Sequence, residues 1–126
     1  MAAMTDYLED KVRDHVLRQI AYTAPTSVKL HLYTTATTDA GGGTEVAGGS
    51  YAGQTVTFQA GAAGSGAADN SGAVSFVNMP AATVTHAAIK DQAGNMLLHG
   101  ALTAPKTVGA GDTLTFAAGD IDAIFA

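Results

Sequence analysis

Val28-Lys29-Leu30-His31-Leu32-Tyr33 is the stretch that decides the fold class. Val28, Leu30 and Leu32 alternate with Lys29, His31 and Tyr33. A period of two puts each set on its own side of an extended backbone, so the stretch predicts a β-strand with one buried face. The same period recurs downstream. Thr55-Val56-Thr57-Phe58 alternates, Val74 and Phe76 flank Ser75, and Val84-Thr85-His86-Ala87-Ala88-Ile89 follows. Asp91-Gln92-Ala93-Gly94-Asn95 supplies turn chemistry, with Gly94 suited to positive φ, and Met96 to Thr103 returns as the partner strand. Gly109-Ala110-Gly111-Asp112 turns the chain before Leu114 and Phe116. Gly119-Asp120 precedes a last run from Ile121 to Phe125. About seven or eight short strands with Gly-rich turns predict an antiparallel β-sandwich or jelly roll. No βαβ rhythm supports a parallel nucleotide-binding sheet.

Upstream the period is about four. Leu8, Val12, Val16 and Ile20, with Leu17, form an apolar stripe over residues 5–22, which read as an amphipathic helix. Thr5 can cap it, and Asp6, Glu9 and Asp10 stand near the positive end of its dipole. Glu9 precedes Arg13 by four and Asp14 precedes Arg18 by four, the favourable order for surface pairs. Pro25 closes the segment. The stripe can pack on the chain's own sheet or clasp a neighbouring subunit. A chain of 126 residues fits one domain: residues 1–25 as helix and arm, 26–126 as β-sandwich. Thr37 to Ser50 and Ala60 to Gly72 read as glycine-rich loops. Their length suggests flexibility or ordering by contact.

Net charge is −5, with six Lys plus Arg against eleven Asp plus Glu, which argues against a nucleic-acid partner. No apolar run is long enough for a membrane span, and the first residues have no signal-peptide pattern. Charged residues are 13% of the chain, about half the usual fraction. That fits either a biased source composition or a surface covered by neighbours, because interface cores are depleted of charge.

Catalytic and metal-binding chemistry is poorly supplied. There is no cysteine. His86 and His99 flank the Gly94 turn. A two-residue loop would set them opposite each other, whereas a three-residue bulged turn, favoured by Gly94, separates them. No third ligand stands at zinc spacing. Asp112, Asp120 and Asp122 lack the order of a calcium loop, and turn roles explain Asp112 and Asp120. Ser50 and Ser71 have no triad context, and Gly41-Gly42-Gly43 lacks the lysine and helix of a phosphate loop. The sequence predicts no enzyme, cofactor or metal site.

Several strings carry a resemblance. They are Thr5-Asp6-Tyr7-Leu8-Glu9-Asp10-Lys11 with Asp14-His15, Tyr22-Thr23-Ala24-Pro25, Thr44-Glu45-Val46 with Gly48-Gly49-Ser50-Tyr51-Ala52, Leu97-Leu98-His99-Gly100-Ala101-Leu102-Thr103, and Pro105-Lys106-Thr107-Val108 with Ala110-Gly111-Asp112-Thr113. Together they resemble a family of small structural proteins of tailed-phage virions. Many of its members carry a tail-fibre-like label, and some resemble jelly-roll capsid cement proteins. Relatives often have Arg where this chain has Gly53.

The resemblance implies a non-catalytic virion protein, assembled in the host bacterial cytoplasm. Its first implied role is capsid decoration, as a homotrimer binding the major capsid protein. The alternative is a tail fibre, tip or collar component bound to tail proteins. A third is a carbohydrate-binding module for the host surface. The candidate interface residues are Leu8, Val12, Val16 and Ile20 on the helix, and Glu45, Val46 and Tyr51 in the first glycine loop. Val46 and Tyr51 are equally explained by core burial.

Overall fold

The computed structural model of the protein describes residues 3–125. It is mainly β, with antiparallel sheets and a single N-terminal helix among the described residues. A five-stranded sheet runs in the order β1 (Ala3–Met4), β8 (Met96–Val108), β7 (Ala82–Asp91), β2 (Val28–Tyr33), β3 (Gln54–Thr55). A three-stranded sheet has the order β10 (Asp122–Ile124), β5 (Ala67–Asn70), β4 (Phe58–Ala60), and β6 (Val74–Phe76) pairs with β9 (Leu114–Phe116). One core joins them. Leu30 and Leu32 of β2, Ile89 of β7, Phe76 of β6, Phe116 of β9 and Ala123 of β10 all belong to it.

The alternation in β2 holds for Leu30 and Leu32 but not for Tyr33, which is buried as well. Tyr33 packs with Ala88 and Met96, away from the main core cluster. The chain after β2 folds back over this spot. Glu45 bridges to Tyr33, and Thr34 N–H donates to Thr44 O at 2.9 Å. A second small cluster therefore forms where period two alone predicts a solvated face.

The β7–β8 hairpin turns through three residues, Gln92-Ala93-Gly94. Gly94 has φ +87° and donates its N–H to Asp91 O at 3.1 Å, while Asp91 N–H donates to Asn95 O at 3.0 Å. The bulged turn separates the histidines: His86 faces Ala101 and His99 faces Ala88. β8 runs beyond Thr103 to Val108. Its pairing jumps from Ala101 opposite His86 to Lys106 opposite Val84. Pro105 lies in that bulge, where its missing N–H breaks no ladder.

Two readings of the sequence need correction. The helix, α1 (Asp6–Leu17), stops short of residue 22. Gln19 takes a left-handed φ of 58°, Ile20 N–H returns to Asp14 O at 3.0 Å, and Tyr22 N–H donates to His15 Nδ1 at 3.1 Å. The side chain of His15 thus fixes the exit of the chain, and Ile20 lies outside the helix. The stretch Ala60 to Gly72 is not all loop, because Ala67–Asn70 is the middle strand of the three-stranded sheet. Alanines carry almost no periodic hydrophobic signal, so the strand is invisible to pattern.

Candidate docking surface

Thr5 anchors α1 to the large sheet. It is 1% exposed; its N–H donates to Leu97 O at 2.9 Å, and its hydroxyl donates to Met96 O at 2.5 Å while accepting Leu8 N–H at 3.4 Å. The N-cap predicted from sequence is therefore also a tether to β8. Leu8, one turn on, is buried in the core. From there the apolar residues of the stripe emerge from the protein: Val12 is 37% exposed, Val16 64%, Leu17 75%, and Ile20 beyond the helix 48%.

Beneath the helix lies an apolar groove of about 390 Å³. Its walls include Val12 and Tyr22 on the helical arm, and Phe58, Ala68 and Phe125 on the three-stranded sheet side. Core residues Ile89 and Leu97 line it too, so the groove reaches the hydrophobic interior. The hydroxyl of Tyr22 is buried without a hydrogen-bond partner, and that burial pushes its pKa up, with Tyr7 and Asp91 adding to the shift.

The helix surface also carries charge. Arg13 pairs with Asp10 at 2.9 Å and Asp14 at 2.8 Å, and Arg18 pairs with Asp14 at 3.3 Å. The Asp14–Arg18 pair follows the spacing read from sequence. Arg13 does not bond Glu9; it reaches Asp10 and Asp14 instead. Hydrogen bonding to Arg13 holds the Asp14 carboxyl below its ordinary value.

The loop candidates play a different part. Glu45 is the hub of a half-buried network. Its Oε2 meets His31 Nδ1 at 2.7 Å and accepts the Tyr51 hydroxyl at 2.7 Å, and its Oε1 lies 3.4 Å from Lys90 Nζ. The Tyr51 oxygen in turn accepts Leu32 N–H at 2.8 Å, and its ring stacks on Phe76. Burial works against the Glu45 charge, yet hydrogen bonds from His31 and Tyr51, with the charge of Lys90, hold its pKa below the ordinary value. Burial, with Glu45 alongside, pushes the Tyr51 phenol strongly up. Val46 is 4% exposed and belongs to the core. Val46 is thus out of reach of a partner that docks without rearrangement, whereas Leu8, though buried in the core, lines the groove. Glu45 and Tyr51 pin the loop to the sheet.

The histidines are spread out. His99 is buried, with Thr37 Oγ1 and Asp39 Oδ1 each 2.7 Å from one ring nitrogen, so it ties the first loop to β8. Asp112 Oδ2 accepts Gly109 N–H and Asp120 Oδ2 accepts Ala117 N–H, the turn roles read from sequence. The carboxylates that do converge are Asp6, Glu9 and Asp39, all exposed; this grouping was not visible in the sequence because Asp39 arrives from a loop.

The family described as Podophage GP4 fiber I protein gp80 matches residues 3–124. The chain belongs to that family. As a member of the podophage fiber I family it is a phage virion structural protein, in agreement with the strings that carry the resemblance in its sequence. No curated protein matches it. The stripe on the helix is legible in the sequence of this family member. The groove is not, because its far wall comes from Phe58, Ala68 and Phe125, three residues with no shared pattern.

Proposed function

We propose that the protein is a non-catalytic component of a podophage fibre that associates through the exposed face of α1 and the apolar groove beside it. The observation that carries this reading is the pairing of a half-exposed apolar helix stripe with a 390 Å³ apolar groove on one side of the molecule. Apolar surface of this kind, rimmed by polar residues, is characteristic of association sites. The name of the family supports the fibre address. The rigid sheets supply the body, and side-chain packing rather than bond making supplies the function.

Copy number tests the address. Quantitative gel densitometry of purified virions should find the chain in small multiples of three or six per particle, as for a fibre or tail part. The second reading is capsid decoration, favoured by the low charge of the chain, 13%. It requires hundreds of copies and binding to expanded shells. Absence of the chain from purified particles overturns both.

A further inference from the structure

Given the docking face proposed above, we infer that its first occupant is a second copy of this chain, joined across a two-fold axis with the two α1 helices antiparallel. Val12 both lines the groove and begins the exposed stripe that continues to Val16. Ridge and groove therefore lie side by side on one face. A two-fold axis through such a face seats each copy's ridge in the other's groove at the same time.

Charge agrees with the antiparallel direction. At 3.6 residues per turn, Glu9 and Arg13 lie on the same flank of the Val12–Val16 stripe. None of the ion pairs among the described residues uses Glu9, and its carboxylate lies close to those of Asp6 and Asp39. Arg13 is half-exposed, its side chain at 51%. In an antiparallel helix pair like flanks meet, so Glu9 of each copy faces Arg13 of the other, crossing near Val12. The exposed parts of Val12, Val16, Leu17, Ile20 and Phe125 present on the order of 400 Å² of apolar side chain. A standard interface takes about 800 Å² from each partner. The patch is about half of that, so even with the groove walls and flanking charges added a weak association is expected, in the roughly micromolar range.

Sedimentation equilibrium of the purified full chain, from roughly 1 to 200 µM, reads this directly. The expected result is a monomer–dimer equilibrium. Val16→Asp should weaken it at least tenfold, with the β-sheet circular dichroism and melting temperature retained. Glu9→Arg and Arg13→Glu should each be monomeric alone, because the first faces arginine with arginine and the second faces glutamate with glutamate. Mixing the two variants should restore a dimer, since every crossing pair is then opposite in charge. A trimer, a monomer at all concentrations, or a dimer that survives Val16→Asp or is not recovered by mixing overturns the inference. A monomeric chain that is nonetheless present in virions defeats this inference alone; absence from virions defeats the fibre and capsid readings and leaves the dimer to be decided by sedimentation.

Discussion

Asn70 and Ile121 hold each other twice. The Asn70 side-chain oxygen accepts Ile121 N–H at 2.9 Å, and Asn70 N–H donates to Ile121 O at 3.2 Å. The amide nitrogen of the same side chain donates to Gly72 O at 2.8 Å and Ala117 O at 2.9 Å. Asn70 is fully buried, so one side chain satisfies three backbone groups where β5, the end of β9 and the start of β10 converge. This junction positions the three-stranded sheet that forms the far wall of the groove.

Asn70→Ala should therefore cost roughly 2–4 kcal/mol, because it strands buried donors and acceptors rather than merely deleting a bond. Asn70→Asp should be no milder. It keeps the acceptor for Ile121 but aims a carboxylate at two carbonyl oxygens. Urea denaturation monitored by circular dichroism measures both. A loss below about 0.5 kcal/mol for each would remove Asn70 from this role.

Gly94 offers a cleaner backbone test. Its φ is +87°, and a Cβ there would meet no atom within 4 Å. Gly94→Ala should then destabilise through conformation alone, by about 1 kcal/mol, and lower the melting temperature by about 4 °C. Gly94→Asn should lose less, because Asn tolerates the left-handed region. Equal losses for the two variants would point to a steric cause instead.

The contrast between these two sites shows what was legible in the sequence. Gly94 announces its turn, because glycine next to Asp91-Gln92-Ala93 between alternating runs has one good conformational use. β2, β7 and the first part of β8 announce themselves through Leu30, Leu32, Ile89 and Leu98. β5 does not, since Ala67-Ala68-Asp69-Asn70 becomes a strand only when β4, β10 and Asn70 close around it. The start of α1 follows from Thr5. Its end depends on Gln19 entering a left-handed conformation without glycine and on His15 capping Tyr22, neither of which has a sequence signature. The apolar stripe was readable, but its exposure was not: whether Val16 meets the chain's own sheet is set by the direction in which Thr5 fixes the helix.

The Glu45 network gives a pH signature with a definite sign. The native pKa of Glu45 lies below its ordinary value of 4.5. Its contribution to stability is therefore present above the unfolded pKa and is lost as pH falls from about 4.5 through the depressed native value. Other carboxylates titrate in the same range, so the readout is a difference. Glu45→Gln should be less stable than the parent at pH 7, and the gap should narrow as pH drops below 4.5. A gap that stays constant with pH, or widens on acidification, contradicts the ionised Glu45 hub.

Gly53 makes room for that hub. A Cβ at this position would collide with the His31 imidazole, the ring that contacts Glu45. Space, not backbone conformation, is what calls for glycine, since φ at Gly53 is not among the positive values. Gly53→Ala should cost about 1–2 kcal/mol by displacing His31 and loosening the bond to Glu45. His31→Ala opens the space, so in that background the same glycine substitution should become nearly neutral. The double-mutant cycle should return a coupling of at least about 1 kcal/mol. Additive losses would mean that Gly53 and His31 act independently, and that room for the imidazole is not what calls for glycine there.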